Sequence, residues 1–186
     1  MMPAPHLNVL VYSARAWRLS AWLATGRRPL TSPPLGPRTF DPEQLRGRQV
    51  LYFKLHGLPG EPRWYGTAGD AWQDAIDVET IRAAAPLGRC VVFAQACFSR
   101  ESPMVQALLE AGAAAVVGSE ATLTAGRYWP RASDWLGRDF LQALGAGFSA
   151  GQALAVARIR LSQKPGVTPG QLAGLSVVGE STRSVG

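Results

Sequence analysis

The sequence has few of the residues that cross-link small proteins or bind metal ions. It contains two cysteines and two histidines among 186 residues, and no Cys-x-x-Cys pair. A disulfide framework is therefore excluded, and we expect neither a zinc cluster nor another cofactor. No apolar run is long enough to span a bilayer, and the N-terminus lacks the apolar core and cleavage site of a signal peptide. We therefore expect a cytoplasmic protein that does not associate with membranes.

Lysine is also scarce, although the chain carries a net charge of +6. Lys54 and Lys164 are the only lysines, and arginine supplies the other 17 positive charges. Residues 1–50 hold seven arginines against two acidic residues, which is +5 of the total. A basic arm can bind nucleic acid, but no recognition motif or interleaved aromatic residues accompany this one. We expect a solvated face or a surface for a partner protein, and no nucleic-acid partner.

Apolar runs alternate with helical patterns, which is typical of an α/β fold with a parallel sheet. The residues from 27 to 40 include four prolines and three arginines and predict an exposed loop. We find no internal repeat and no shift in composition that would mark a second domain, so residues 1–186 are predicted to form one domain. The predicted strands are 7–12, 50–55, 91–94, 113–118 and 175–178, with a hairpin edge at 64–66. The predicted helices are 14–24, 78–85, 103–112, 133–144 and 149–162. Four side chains are predicted to cap them: Ser13, Asp77, Ser133 and Ser149.

Two short motifs follow consecutive buried strands. His56-Gly57 closes the strand at 50–55, and Cys97 follows the strand at 91–94. Ligands of open α/β sheets bind at the carboxyl ends of the parallel strands, so both motifs are predicted to lie at that edge. An imidazole beside a thiol can generate a thiolate nucleophile at neutral pH.

Other possible functional motifs lack the neighbouring elements that their chemistry requires. Residues 147–151 match Gly-x-Ser-x-Gly, but a predicted helix precedes them and no histidine follows, so Ser149 is interpreted as a helix N-cap. No glycine-rich phosphate loop follows the first strand, which disfavours nucleotide binding. Cys90 lies seven residues before Cys97 and is interpreted as a core residue.

These residues resemble the caspase-like, or clan CD, cysteine peptidases, with the bacterial CHAT and gingipain-like branches closest in pattern. The resemblance covers about residues 7–180 and implies a three-layer αβα sandwich with a mostly parallel central sheet in a single CHAT-type domain. Phe98-Ser99 departs from the caspase continuation, so caspase specificity does not carry over. The matching segments, in family order, are Leu55-His56-Gly57, Gln95-Ala96-Cys97, 108–118, the helices at 140–144 and 150–160, and the strand at 175–179.

The resemblance implies a His-Cys dyad that hydrolyses peptide bonds in protein substrates. Cys97 would attack the carbonyl, His56 would carry the proton, and the amides of Gly57 and Cys97 would stabilise the oxyanion. The family pattern requires no third catalytic residue besides His56 and Cys97.

The resemblance also indicates where the substrate pocket lies. In related enzymes the pocket for the residue before the scissile bond lies beside the first strand's end and just before the nucleophile. Arg15 and Gln95 occupy those places. Arg15 would favour an acidic substrate residue, whereas Glu120 or Asp70 would favour a basic one. The alternative is that these charges only face solvent.

Three classes of function remain open. The first is an active cysteine endopeptidase, and the second is a catalytically idle caspase-like scaffold that binds other proteins. The third is a doubly wound domain for small molecules or nucleotides. Intact His56, Gly57 and Cys97 favour the first. An ungated peptidase would be toxic in the cytoplasm, so we expect a regulatory partner, or cleavage within residues 27–40, to control it.

Overall fold

A six-stranded sheet forms the centre of the protein, whose computed structural model describes residues 7–168 and 174–182. The strand order is β2-β1-β3-β6-β7-β8, with every neighbouring pair parallel except β7 and β8. The predicted α/β class with a mostly parallel sheet is confirmed. The strands of this sheet are β1 Val9–Ala14, β2 Leu30–Ser32, β3 Val50–Lys54, β6 Val91–Gln95, β7 Ala115–Ser119 and β8 Leu175–Gly179.

Helices cover both faces of the sheet because its inner strands present apolar side chains on both sides. Residues of α2 and α3 join one hydrophobic cluster, and residues of α1, α4 and α5 join the other. No helix in the described part of the chain is both long and apolar enough to cross a bilayer. The helices are α1 Arg18–Thr25, α2 Val78–Ala83, α3 Pro103–Glu110, α4 Ala132–Gly145 and α5 Ala150–Ser162.

The alternation of side chains along β3 and β6 determines which face each site residue occupies. Leu51 and Phe53 of β3 belong to the cluster on the α2–α3 face, whereas Tyr52 belongs to the cluster on the α1–α4–α5 face. Because successive strand residues point to opposite faces, Lys54 of β3 and Gln95 of β6 extend toward the α1–α4 side. The two residues are register partners.

An antiparallel hairpin follows β3 and consists of β4 Arg63–Ala68 and β5 Ala71–Asp77. This agrees with the hairpin edge predicted around residue 64. The hairpin is anchored to the end of β3, because His56 and Tyr65 exchange both backbone hydrogen bonds, at 2.8 and 2.9 Å. Trp64 of β4 and Ile76 of β5 pack into the cluster on the α2–α3 face.

Some local predictions differ from the structure. The helix predicted from residue 14 begins at Arg18 after a 3-10 turn, and Ser13 is a buried strand residue instead of a cap. Ser133 is not a cap either: it lies inside α4, and its hydroxyl donates to the Thr124 carbonyl. A tertiary partner outcompetes the local capping interaction at Ser133, whereas Ser13 is part of β1 and its hydroxyl donates to the adjacent Ala14 carbonyl.

The segment from 27 to 40, predicted as an exposed loop, contains β2. Its residues Ser32 and Phe40 are buried, and the Leu35 carbonyl accepts a hydrogen bond from Tyr12. The segment therefore forms one edge of the sheet and packs beneath the hairpin. Residues 30–32 are too few to show an alternating apolar pattern from which a strand could be predicted.

Candidate active site

The structure brings the His-Gly and Ala-Cys motifs together at the carboxyl edge of the sheet. The register of β3 and β6 continues past their ends, where the Leu55 N–H donates to the Gln95 carbonyl at 3.3 Å. A Cβ at position 57 would overlap the carbonyl oxygen of Cys97 and lie 3.3 Å from its nitrogen. Glycine is therefore required where these two loops meet, because any side chain would push them apart.

The His56 imidazole lies between two indoles. Trp17, in the 3-10 turn after β1, has its ring centroid 4.2 Å away, and Trp72 of β5 stacks on the imidazole at 4.1 Å. Burial lowers the pKa of His56 to about 4, since neither indole supplies a charge to stabilise imidazolium. At neutral pH the imidazole is uncharged, the form that accepts a proton.

The Cys97 thiol is partly exposed and free. Its sulfur accepts a hydrogen bond from the Leu123 N–H at 3.2 Å, and its other polar contact is the Leu123 carbonyl at 3.9 Å. Among the described residues no hydrogen bond joins this sulfur to His56. Cys90, by contrast, is buried in the core, and burial raises the pKa of its thiol to about 12.

Two backbone donors remain unused beside the thiol. Neither the Gly57 N–H nor the Cys97 N–H donates to another group in the part of the chain that the structure describes. Gly57 is buried, and buried N–H groups are almost always paired, so an unpaired donor at this position needs a reason. An anion or a carbonyl oxygen at this point would satisfy them.

A buried polar network lies next to the His-Cys pair. The Lys54 ammonium forms an ion pair with Asp134 of α4 and donates to Ser20 of α1 at 2.5 Å. Asp134 also accepts from Gln95 at 2.9 Å and from the Gly126 N–H at 3.0 Å. Burial lowers the pKa of Lys54 and Asp134 opposes that shift, so the carboxylate keeps the ammonium charged.

The network joins the loops around the site to one another. Tyr52 donates to Gln95 at 2.7 Å, and burial together with Asp134 raises the pKa of its phenol well above the usual range. Gln95 in turn donates to Ser133 at 2.8 Å. The ends of β3 and β6, the start of α1 and the loop before α4 therefore share one set of hydrogen bonds.

The residues predicted to set specificity lie in different places. Gln95 is buried, and its amide is engaged in the network. Arg15 is exposed and lines a cavity beside Trp17. Asp70 occupies the exposed tip of the hairpin, and Glu120 is paired with Arg100 at the end of β7. These four side chains therefore do not form a single pocket.

Four residues of the site were not predicted from the sequence: Trp17, Trp72, Lys54 and Asp134. Lys54 carried a signal, because a lysine near the end of an otherwise apolar strand needs a buried partner or an exit to solvent. The two tryptophans carried none, since they lie 39 residues before and 16 residues after His56 in the sequence. Their contacts with the imidazole arise only from the packing of the 3-10 turn and the hairpin.

The fold has counterparts among solved structures. A structure described as a protease is 12% identical, with a TM-score of 0.52 over 98% of this chain and 49% of that one. This chain shares the fold of that protease. A secreted C11 cysteine protease from Bacteroides thetaiotaomicron, bound to an irreversible peptide inhibitor, is 17% identical over 71% of this chain and 39% of that one, with a TM-score of 0.46.

This chain spans less than half the length of each of those proteases. No protein-family model and no curated protein matches the sequence. Within the described residues no group of three or more histidine, cysteine or acidic side chains is placed to hold a metal ion.

Proposed function

We propose that this chain is a cysteine endopeptidase in which His56 and Cys97 form a catalytic dyad. The observation that carries the proposal is the close approach of Gly57 to the Cys97 backbone, which sets an imidazole-bearing loop against a thiol-bearing loop at one sheet edge. The fold shared with a solved protease supports the same assignment. Residues 1–186 would then form a single CHAT-type peptidase domain.

The proposed reaction begins when the Cys97 sulfur attacks a peptide carbonyl and its proton passes to the neutral imidazole of His56. Collapse of the tetrahedral intermediate breaks the C–N bond, and the imidazolium donates its proton to the departing amine. Water, deprotonated by the same imidazole, then hydrolyses the thioester and restores the thiol. Substrate binding would bring the two side chains into hydrogen-bonding contact, as apo sites commonly require.

The unpaired amides of Gly57 and Cys97 are assigned as the oxyanion donors. Both are already fixed by the surrounding backbone, so they need no reorganisation when charge develops on the carbonyl oxygen. The loss of one such donor costs about 3 kcal/mol of transition-state stabilisation.

The decisive experiment compares cleavage of unfolded protein and peptide libraries by the wild type, Cys97→Ala, His56→Ala and Cys90→Ala. The first two variants should lose at least about 100-fold in kcat/KM, while Cys90→Ala, which removes the other thiol, should retain cleavage. Equal cleavage by all four proteins would assign the activity to a contaminant. An absence of cleavage by the wild type, with the 27–40 segment both intact and cut, would reject the peptidase.

Gly57→Ala tests whether catalysis depends on the close approach of the Gly57 loop to the Cys97 loop. The added methyl would collide with the Cys97 carbonyl, displace the oxyanion donors and destabilise the fold by about 1–3 kcal/mol through overpacking. Kinetics at a temperature where the variant is fully folded should show a fall in kcat. Gly147→Ala is the control for a general loss of stability, because Gly147 has open space around it but a φ of +89° that strains any other residue, and its kcat should stay at the wild-type value.

The proposed activity is gated by cleavage within residues 27–40 or by a partner that moves this segment. Its residues hold the hairpin: Gln73 of β5 donates to Ser32 and to the Leu35 carbonyl, each at 3.1 Å. The adjoining Trp72 covers the His56 imidazole. Release of the segment would loosen the hairpin and uncover the imidazole.

A specific protease site inserted between Pro37 and Arg38 tests this gate. Cutting there should raise peptidase activity, whereas cutting the same site inserted after Gly166, in the turn beyond α5, should not. Full activity of the uncut protein with no increase after cutting would contradict gating by this segment.

A further inference from the structure

A group of arginines surrounds two adjoining cavities on the α1 side of the site. One cavity of about 370 Å³ is lined by Arg15, Arg18 and Arg127, together with Tyr128 and the hairpin tip at Gly69. A second cavity of about 420 Å³ is lined by Arg18, Arg28 and Trp22. Both cavities are lined in part by Arg18 and Leu19, so they adjoin there, and we call the two together the arginine cleft.

The cleft carries positive charge that nothing within it neutralises. Arg15, Arg18, Arg28 and Arg127 are exposed, and none of their guanidinium groups forms an ion pair or hydrogen bond with the described residues. No carboxylate is among the described residues that line either cavity. Arg63, Arg89 and Arg100 have acidic partners, whereas Arg38 and Arg160 have none among the described residues. The cleft is distinguished by four unpaired guanidinium groups that line adjoining cavities.

The arginine cleft adjoins the proposed catalytic residues. Arg15 and Arg18 flank Trp17, whose indole contacts His56. The opposite wall, at Gly69, is the tip of the hairpin whose Trp72 stacks on the same imidazole. A polypeptide positioned at Cys97 would therefore run past these guanidinium groups within a few residues of the scissile bond.

We propose that the arginine cleft binds an acidic stretch of the polypeptide that this protein cleaves. The inference rests on the proposed peptidase function and names its substrate class: chains with aspartate or glutamate clustered near the cleaved bond. Guanidinium groups bind carboxylates through paired N–H donors, and several of them along a cleft match several acidic side chains in sequence. The exposed Trp22 and Leu19 add an apolar contact for a side chain between the acidic ones.

One carboxylate lies near the cleft and bears on the test. Asp70 follows Gly69 at the tip of the hairpin and is exposed. It would repel an acidic segment, so Asp70→Asn should strengthen binding while the arginine variants weaken it. If Asp70→Asn strengthens binding and the arginine variants weaken it, the effect is electrostatic, since a general loss of structure would weaken binding in every variant.

Binding is measured with the inactive Cys97→Ala chain and two fluorescent peptides, one rich in Glu and Asp and the other with Gln and Asn in their places. The acidic peptide should bind more tightly, and the combined change Arg15→Gln and Arg127→Gln should weaken it by about tenfold, the effect of two partly exposed ion pairs. Arg160→Gln removes the same charge from an exposed position on α5 and should leave binding unchanged. Higher salt should weaken binding of the acidic peptide because it screens the guanidinium groups.

Cleavage of the same two sequences by the wild type, with the 27–40 segment both intact and cut, gives the second readout. The acidic peptide should have the higher kcat/KM, and the double arginine variant should lose that discrimination. Equal binding of both peptides, or a preference for basic residues at the cleaved bond, would overturn the inference while leaving the peptidase intact. Binding of the acidic peptide without cleavage of any substrate would reject the peptidase but keep the arginine cleft as an acidic-peptide site.

Discussion

At the scale of single residues, the buried pair of Lys54 and Asp134 has the largest energetic consequence. Both side chains are fully buried, and the carboxylate accepts hydrogen bonds from Gln95 and from two backbone N–H groups besides its ion pair. Such a pair contributes little net stability compared with an apolar core, but the loss of one partner leaves a buried charge uncompensated. The pair therefore specifies how α4 meets the ends of β3 and β6.

Asp134→Asn should destabilise the protein by about 3–5 kcal/mol because it leaves the Lys54 ammonium without its counter-charge. Urea denaturation at pH 7 measures the change. Glu79→Gln, which breaks the exposed pair with Arg82, is the matched control and should shift stability by no more than about 0.5 kcal/mol. Equal effects of the two substitutions would show that the Lys54–Asp134 pair is not isolated from solvent.

His56 should make the folded state sensitive to acid. Its pKa is lowered to about 4 in the folded protein, against 6.5 for an ordinary histidine. Between these values the unfolded chain binds a proton that the folded chain does not, so stability should fall as the pH is lowered from 6.5 to 4.

The measurement compares urea midpoints at several pH values for the wild type and His56→Phe. The variant should lose the part of the pH dependence that lies between 6.5 and 4. The other histidine, His6, is present in both chains and cancels in the comparison. Identical pH profiles would contradict the burial of the His56 imidazole between the two indoles.

At the scale of elements, the hairpin is the structure that most affects the candidate site. Its strand β4 anchors the His56 backbone, and its strand β5 supplies the indole that covers the imidazole. The hairpin lies outside the central sheet, and its base is held in the core by the buried side chains of Trp64 and Ile76. Its tip, residues 68–72, is exposed and can move while the base stays in place.

Trp72→Ala should expose the imidazole and raise the pKa of His56 from about 4 toward 6.5, because the shift arises from desolvation. An NMR titration of the imidazole protons measures it. Trp129→Ala removes an indole that is 74% exposed and should leave the pKa of His56 unchanged. If the pKa of His56 stays near 4 in Trp72→Ala, Trp17 alone is responsible for the burial of the imidazole.

Secondary structure was most predictable where local signals were strong and unopposed. The cap of α2 by Asp77 and the cap of α5 by Ser149 form as predicted, since each side chain accepts a hydrogen bond from the N3 backbone N–H. Ser13 and Ser133 carry the same local signal, but both are buried and donate to carbonyls instead. Sequence patterns do not reveal which serines will be buried.

At the scale of the whole molecule, one sheet separates two hydrophobic clusters of similar composition. Phe53 belongs to the cluster with α2 and α3, and Phe93 belongs to the cluster with α1, α4 and α5. Because strands β3 and β6 are hydrogen-bonded neighbours, both clusters depend on the same part of the sheet. This arrangement predicts that neither cluster can unfold alone.

Phe53→Ala and Phe93→Ala should each destabilise the protein by about 3–5 kcal/mol through lost burial and a residual cavity. In each variant, unfolding followed by tryptophan fluorescence and by circular dichroism should give one coincident transition. Phe148→Ala, at a side chain that is 40% exposed, is the control and should change stability little. Separate transitions would divide the chain into two folding units and contradict the single-domain prediction.

The sequence by itself determined the α/β class, the parallel strands and the placement of His56 and Cys97 after neighbouring strands, because apolar periodicity and strand ends are local properties. The tertiary structure alone decided what surrounds those two residues. The indoles on His56, the Leu123 N–H on the Cys97 sulfur, the Lys54–Asp134 pair and the arginine cleft all join segments that are distant along the chain. Such contacts depend on how helices and the hairpin pack on the sheet, and no local pattern encodes that packing.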